Sequence, residues 1–256
     1  MSQFHAFKGI LHRDLLVFWR NLRGNSVRIF VQPAFFLVVF GVLMPKLGLF
    51  AKGYAGVLIP GVVTISAMTA ASFGVGALVG LSFFRNKEIR AHLLAPISLE
   101  LFVLEKILYG VFQALVSSVS MLLVGWLMFR NISVPNPLWF LVIVSLTGIA
   151  FSSIGIAIGS RMRLPPVMFE VLQLIIMPMF FFGATFFPLS AIRELSPALF
   201  WALHLLPNVY TSEGLRALMT PEVPHLPLFY AIAGLVVWSA LLFPLALKEF
   251  RRRAVS

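Results

Sequence analysis

The sequence of 256 residues contains no cysteine and very little charge. The absence of cysteine excludes a secreted fold held together by disulfides. Charged residues make up 11% of the chain, against about 25% in a typical soluble domain. Hydrophobic residues reach 60%, which excludes intrinsic disorder. A chain so poor in charge and so rich in apolar residues is predicted to be a polytopic membrane protein.

Catalytic signatures are also missing. The sequence has no Gly-Lys pair, so it cannot bind ATP through a P-loop. Neither Gly-x-Ser-x-Gly nor His-Glu-x-x-His occurs, and the five histidines are dispersed without metal-ligand spacing. We therefore expect a non-catalytic chain with no cofactor-binding or metal site of its own.

Long apolar runs are what the sequence does contain. A bilayer core about 30 Å thick requires roughly 20 apolar residues in a helix. A shorter run at 197–209, rich in proline, predicts a re-entrant or interfacial helix instead. The sequence thus predicts an all-α membrane protein with six transmembrane helices, at 29–45, 53–84, 107–129, 131–160, 164–192 and 226–247.

The net charge of +11 could suggest a nucleic-acid partner, but its distribution indicates orientation. With six spans, fifteen of the 20 Lys and Arg residues fall on the side that holds both termini. Basic residues are enriched in cytoplasmic loops, so both termini are predicted to be cytoplasmic. We expect a multi-pass membrane protein, with membrane lipid and no nucleic acid as partner.

The first 26 residues predict a basic amphipathic helix at the inner membrane surface. Apolar residues recur there every three or four positions, on one helical face. The helix could be a simple anchor, or it could grip a partner protein. The residues that carry the apolar stripe include Phe7, Leu11, Leu15 and Phe18.

The segment 85–106 predicts a short amphipathic helix between the second and third spans. Ile89, Leu93 and Ile97 repeat every four residues, and Pro96 is positioned to end the helix. Such a helix could lie on the membrane surface as a linker, or it could dock into a groove of a partner.

Within the predicted spans, Glu170 is the one acidic residue. An intramembrane carboxylate can be a functional site, whereas Arg161 and Arg163 nearby favour an interfacial ion pair. Two glycine pairs, 76 with 80 and 155 with 159, allow close helix approach, either within the chain or between two chains.

Several segments, taken in order, resemble the ABC-2 type permease family, the membrane subunits of bacterial ABC exporters. The amphipathic N-terminal helix is followed by Ile-Pro-Gly-Val-Val-Thr-Ile-Ser-Ala-Met at 59–68 and Leu-Leu-Ala-Pro-Ile-Ser at 93–98. Phe-Gly-Ala-Thr-Phe-Phe-Pro-Leu at 182–189 then precedes Leu-Pro-Asn-Val-Tyr-Thr-Ser-Glu-Gly-Leu-Arg at 206–216. The chain departs from the family at 85–92, where Arg-Asn-Lys-Glu-Ile-Arg-Ala-His lacks the Gly-Thr that members often carry.

The resemblance implies one transmembrane domain over 1–256 in the bacterial inner (cytoplasmic) membrane, which pairs with a second permease chain as a homodimer. It implies two copies of an ABC ATPase subunit, which would hold ATP and Mg²⁺, and export of an apolar or amphipathic substrate such as a lipid-linked glycan, a lipo-oligosaccharide or a drug. The residues alone also allow a self-sufficient secondary transporter driven by an ion gradient, so that alternative stays open here.

The resemblance further assigns roles to three segments. Residues 1–26 would be the connecting helix, and 188–226 would be an outer re-entrant loop that, with Phe182, Phe186, Phe187 and Pro188, forms an outer gate. Residues 85–98 would be the cytoplasmic coupling helix that contacts the ATPase, through Arg85, Lys87, Glu88, Ile89, Arg90, Leu93, Leu94 and Pro96.

Overall fold

Apolar runs of this length fold as helices, because in a bilayer each backbone N–H and C=O must be satisfied within its own segment. The computed structural model describes residues 3–20, 31–49, 54–84, 98–129 and 134–255, and each regular element in these ranges is helical. In chain order they are α1 Gln3–Arg20, α2 (Gln32–Phe36, the π-helical Leu37–Leu43 and Met44–Lys46), α3 Tyr54–Phe84, α4 Leu99–Phe129, α5 Pro137–Arg161, α6 Pro165–Phe182, α7 Leu189–Leu195, α8 Pro197–Leu203, α9 Pro207–Met219 and α10 Leu228–Val255.

Within the described ranges, five helices are long and apolar enough to cross a membrane, namely α3, α4, α5, α6 and α10. They correspond to the second to sixth predicted spans. The first predicted span, 29–45, overlaps α2, and its residues 29 and 30 lie outside the described ranges. The described part of α2 would extend only about 22 Å, which is shorter than the bilayer core.

Helix α4 begins at Leu99, two turns before the predicted start of the third span at Ile107. The helix is longer than the predicted span because the prediction excluded charged residues. Glu105 and Lys106 lie inside the helix and are buried, so their charges do not mark its end. Ser98 caps the helix, since its hydroxyl accepts a hydrogen bond from the Leu101 amide at 3.3 Å.

Helix α6 ends at Phe182, ten residues before the predicted end of the fifth span at Ile192. Gly183 follows the helix, and Ala184 has a φ of 54°, so the backbone turns away from the helical path. The predicted short helix at 197–209 is also divided. Its first half is α8, and its last three residues begin the separate, almost fully buried helix α9.

The two glycine pairs pack against each other inside the chain. A Cβ on Gly155 would lie 2.4 Å from the Ser72 carbonyl oxygen, and one on Gly159 would lie 2.7 Å from the Gly76 carbonyl oxygen. Helices α3 and α5 therefore approach so closely that only glycine fits at these positions. Of the two alternatives left open by the sequence, the structure supports packing within the chain.

The antiparallel helices place functional candidates at two ends of the bundle. We call the end that carries α1 the α1 end; it also holds the end of α3, the start of α4 and the end of α10. We call the other end the loop end, where α7, α8 and α9 fill the connection between α6 and α10. Between the ends, α3 is the central helix, buried against α4, α5, α6 and α9.

Candidate functional site

At the α1 end, the amphipathic stripe of α1 packs on α4. Phe18 is fully buried, and its ring meets the Phe112 ring edge to face at a centroid distance of 5.3 Å. Leu11 and Leu15 pack against the same cluster, whereas Phe7 is half-buried. The predicted stripe is thus the face that contacts the bundle, and its role as a connecting helix stays a prediction.

A buried charge cluster joins α1 to α4. The Lys106 ammonium lies 2.5 Å from Asp14 Oδ2 and 2.8 Å from Glu105 Oε2, and all three side chains are closed to solvent. Arg13, which is half-exposed, lies 3.0 Å from the other Asp14 oxygen. Because a buried charge requires a partner, this cluster fixes α1 at one position on α4.

Sequence reasoning missed this cluster, although one signal was present. Asp14 is the one acidic residue before Glu88, and it lies on the apolar stripe beside Leu11 and Leu15. An acid at a core-facing position predicts a basic partner. The partner could not be identified from the sequence, because Lys106 is 92 positions away.

At the loop end, a second buried ion pair lies within α9. Arg216 contacts Glu213 one turn earlier, and both side chains are inaccessible to solvent. The Arg216 guanidinium donates a hydrogen bond to the Ala184 carbonyl at 2.8 Å and reaches the Val57 carbonyl of α3 at 3.4 Å. Arg216 therefore connects α9 to the turn after α6 and to the start of α3.

The Glu213 carboxylate extends the same network in the other direction. One oxygen accepts a hydrogen bond from the Leu189 amide at 3.0 Å, at the start of α7. The other accepts one from the Leu226 amide at 2.9 Å, two residues before α10. One ion pair thus satisfies backbone groups of four segments, a role that the sequence did not indicate.

The predicted outer-gate residues do not form one group. Phe186 is buried, with its ring 5.0 Å from that of Phe40, and Tyr54 donates a hydrogen bond to its carbonyl. Phe187 is half-buried and Pro188 precedes α7, whereas Phe182 lies half-exposed on α6. The structure brings Phe186 against α2 and α3 but leaves Phe182 apart from it, and the gate itself stays a prediction.

The segment that contains Phe186 lies directly on α3. A Cβ on Gly61 would lie 2.0 Å from the Thr185 carbonyl oxygen, so no larger residue fits there without moving the segment. Together with the Arg216 hydrogen bond to Ala184, this contact holds the turn after α6 against the start of the central helix.

Helix α6 carries an open face beside a cavity. The cavity has a volume of about 270 Å³ and is lined by residues of α2, α3 and α6, namely Phe36, Thr69, Phe73, Phe169, Gln173, Ile176, Met177, Phe180 and Phe181. Glu170 and Gln173 are exposed on α6. The expected ion pair of Glu170 with Arg161 or Arg163 does not form among the described residues, and Arg161 instead lies 3.9 Å from Glu249.

The predicted ATPase-coupling residues, Arg85, Lys87, Glu88, Ile89, Arg90, Leu93, Leu94 and Pro96, all lie outside the described residues. The structure does describe the two helices that border them. Helix α3 ends at Phe84 and α4 begins at Leu99, seven residues before Lys106. In the described part of the chain, no three His, Asp or Glu side chains come together as metal ligands.

Comparison with known proteins identifies a family and a relative. A profile of the family described as ABC-2 type transporter matches residues 5–220. Nodulation protein J of Sinorhizobium fredii (strain NBRC 101917 / NGR234) is 28% identical over 206 residues, which cover 79% of this chain and 76% of the relative. The profile begins in α1 and extends one residue beyond α9, so it includes both buried charge clusters.

Proposed function

Because this chain belongs to the ABC-2 type transporter family, we propose that it exports an apolar or amphipathic substrate across the bacterial inner membrane at the expense of ATP. Membership makes the chain a multi-pass, non-catalytic membrane permease that associates with an ABC ATPase. The substrate class, the direction of transport and the stoichiometry of the complex are the proposal.

The observation that carries the substrate class is the cavity beside α6. Its walls are mostly phenylalanine and aliphatic side chains, with Thr69 and Gln173 as the polar exceptions. Apolar walls with a few polar groups suit a ligand that has an apolar body and a polar part. Lipid-linked glycans, lipo-oligosaccharides and amphipathic drugs all fit this description.

The exposed polar groups of α6 support pairing with a second copy of the chain. Glu170 and Gln173 lie one turn apart on an otherwise apolar helix, where contact with lipid chains would be costly. A homodimer in which two α6 faces meet would replace lipid by protein and water at these positions. The two cavities would then lie on either side of a shared pathway.

Coupling to ATP hydrolysis is proposed to run through residues 85–98 and α1. A force applied to 85–98 would act on the start of α4, and two turns further along this helix Lys106 contacts Asp14 of α1. Helices α1 and α4 would then move as one rigid body, and the bundle would change between two packings. Two ATPase subunits, each holding ATP and Mg²⁺, would contact the two copies of this segment.

The distribution of basic residues supports one orientation. Arg161, Arg163 and Arg251–Arg253 lie at the α1 end, so we propose that this end and both termini are cytoplasmic. The loop end, with α7, α8 and α9, would then face the outside and close the exit.

The test is reconstitution of the chain with its ATPase in vesicles, with an amphipathic dye and a lipid-linked oligosaccharide as probes. We expect ATP-dependent movement of at least one probe, and we expect Glu88→Gln, Arg90→Gln and Leu94→Ala to abolish probe-stimulated ATPase activity while membrane insertion is intact. Normal stimulation in these variants would contradict the coupling role. Transport by the chain alone, driven by an ion gradient, would instead establish a secondary transporter.

A further inference from the structure

The α6 cavity has walls made largely of aromatic rings. Five of its nine lining residues are phenylalanines from three helices, namely Phe36 of α2, Phe73 of α3, and Phe169, Phe180 and Phe181 of α6. An open groove of about 520 Å³ adjoins the cavity and shares Gln173, Met177 and Phe181 with it. Glu170 lines this groove. We propose that the cavity and the groove together bind a hydrophobic organic cation.

This inference rests on the proposed function, because it takes the α6 cavity as the site that receives the exported substrate. An amphipathic substrate can carry a positive charge, a negative charge or no charge in its polar part, and the proposed function does not choose among them. The side chains around the cavity and the groove favour the positive charge.

The aromatic walls favour a cation over an anion of the same size. The face of a phenylalanine ring is the negative part of its quadrupole, so it attracts a cation that lies within about 6 Å of the ring centre. Phe180 contacts both Phe36 and Phe181, at centroid distances of 4.7 Å and 5.4 Å. Three rings therefore form a continuous aromatic wall from α2 to the groove.

Glu170 provides independent support, because it gives the groove a negative charge. The side chain is exposed, so a ligand in the groove can reach it. Among the described residues, no Lys, Arg or His side chain forms an ion pair with it, and Arg161 lies near Glu249 instead. The sequences of α3 and α6 contain no basic residue, and α2 has only Lys46, in its last turn. A cationic ligand would supply the positive charge that these helices lack.

The proposed pairing of two copies would add to this charge instead of neutralising it. In a symmetric dimer, residues near the two-fold axis meet the same segment of the other copy. Two α6 helices that meet there would bring two Glu170 carboxylates and no basic side chain to the shared pathway. Such a pathway attracts a cationic substrate and repels an anionic one.

Two simpler explanations account for less of this arrangement. A helix face rich in phenylalanine can be ordinary lipid-facing surface, but that role requires no concave arrangement of rings from three helices. It also leaves Glu170 in contact with lipid chains, which is costly for a charged group. A small metal ion requires about six oxygen ligands, and the phenylalanine walls offer none.

The test measures ion binding to the full-length chain in a non-ionic detergent, without its ATPase. The probes are tetraphenylphosphonium and tetraphenylborate, which have nearly the same shape and opposite charges, and micelles without protein give the background. The variants are Glu170→Gln, which removes the carboxylate charge, and Phe181→Leu, which removes a ring but keeps an apolar side chain. The controls make the same changes at exposed positions outside the cavity and the groove, namely Glu194→Gln on α7 and Phe229→Leu on α10.

We expect the unmodified chain to bind the phosphonium ion more tightly than the borate ion. Glu170→Gln should weaken phosphonium binding roughly tenfold, as loss of one unit charge about 10 Å away does at an effective dielectric constant of about 20. Phe181→Leu should weaken phosphonium binding about threefold, because one cation–π contact is lost. Both control variants should bind like the unmodified chain.

Either of two results would overturn the proposal. The first is equal or tighter binding of the borate ion by the unmodified chain, a comparison that does not depend on the folding of any variant. The second is a phosphonium affinity that is the same in Glu170→Gln as in Glu194→Gln, or the same in Phe181→Leu as in Phe229→Leu. Such a result would place the bound cation outside the cavity and the groove.

ATP-dependent transport by the reconstituted complex tests the proposed function separately. Export of the lipid-linked oligosaccharide, together with equal binding of the two ions, would overturn the cation site and keep the exporter. Charge-selective binding that depends on Glu170, without ATP-dependent transport of any probe, would keep the cation site and overturn the exporter.

Discussion

Glu213 and Arg216 form an ion pair that is closed to solvent on both sides, and together they bind backbone groups of four other segments. Neither residue lies in a predicted span. Their burial shows that the connection between α6 and α10 is a packed part of the bundle, since a solvated loop would leave such charges exposed. The loop end therefore depends on this pair for its position on α3.

Replacing Arg216 should unfold the loop end. Arg216→Met removes the positive charge and leaves Glu213 buried without its partner, which costs about 3–5 kcal/mol in comparable buried pairs. We expect a clearly lower Tm in detergent and aggregation on size-exclusion chromatography. The exposed Arg193 offers a matched control, and Arg193→Met should change stability by less than about 0.5 kcal/mol.

The double variant Glu213→Leu with Arg216→Met separates the cost of a buried unpaired charge from the cost of the lost hydrogen bonds. Removing both charges leaves no uncompensated ion, so the double variant should be more stable than Arg216→Met alone. The amides of Leu189 and Leu226 would still lose their acceptor, so it should remain less stable than the unmodified chain. A double variant less stable than the single one would show that Glu213 acts independently of Arg216.

The Asp14–Lys106 contact should hold α1 on the bundle. Asp14→Asn keeps the shape but removes the charge that faces Lys106, at a cost of about 1–3 kcal/mol. We expect faster tryptic cleavage at Lys8 and Arg13, followed by mass spectrometry of the released peptides. Glu100→Gln is the control, because its pair with Arg251 is half-exposed and contributes at most about 1 kcal/mol. Equal cleavage rates in both variants would show that the Asp14–Lys106 contact does not hold α1 on the bundle.

The glycine contacts between α3 and α5 give a fourth test. Gly155→Ala would place a Cβ 2.4 Å from the Ser72 carbonyl oxygen, so the two helices must separate, at about 1–3 kcal/mol. Gly9→Ala makes the same chemical change in α1, where no atom lies within 4 Å. That control should raise helix stability by about 0.5–1 kcal/mol. A similar Tm for both variants would contradict close packing at Gly155.

Patterns local in sequence predicted most of the fold. Helical periodicity located α1 and its buried face, and apolar length located the five long helices. The predicted span ends differ from the observed helix ends where a charged residue was taken to end the span. Lys106 is a charged residue inside a long apolar helix, and its buried ammonium contacts Asp14, 92 positions away, as well as the adjacent Glu105.

The candidate sites were harder to predict for the same reason. The order of motifs indicated the family, but the partners of Arg216 in space are Ala184 and Val57, which no local pattern connects. The exposure of individual side chains could not be predicted from the sequence either. Glu170 was expected in an ion pair with its basic neighbours, whereas it lies on the open face of α6, and Arg161 instead lies 3.9 Å from Glu249.

The open face of α6 leads to a direct test of the homodimer, since the chain contains no cysteine. We expect at least one of the variants Gln173→Cys, Leu174→Cys and Met177→Cys to form a disulfide-linked dimer under mild oxidation in membranes. A disulfide requires Cα atoms within about 7 Å, so a single introduced cysteine can link two copies only near their symmetry axis.

Helix α10 provides the matched control for this experiment. Leu241 is 61% exposed and Leu174 is 74% exposed, so both positions are open in the single chain. If both faces merely contact lipid, Leu241→Cys and Leu174→Cys should cross-link equally poorly. Linked dimers at α6 alone would place the second copy against Glu170 and Gln173. Linked dimers at Leu241 alone would move the interface to α10 and leave the polar groups of α6 without a protein partner, which would contradict the proposed pathway.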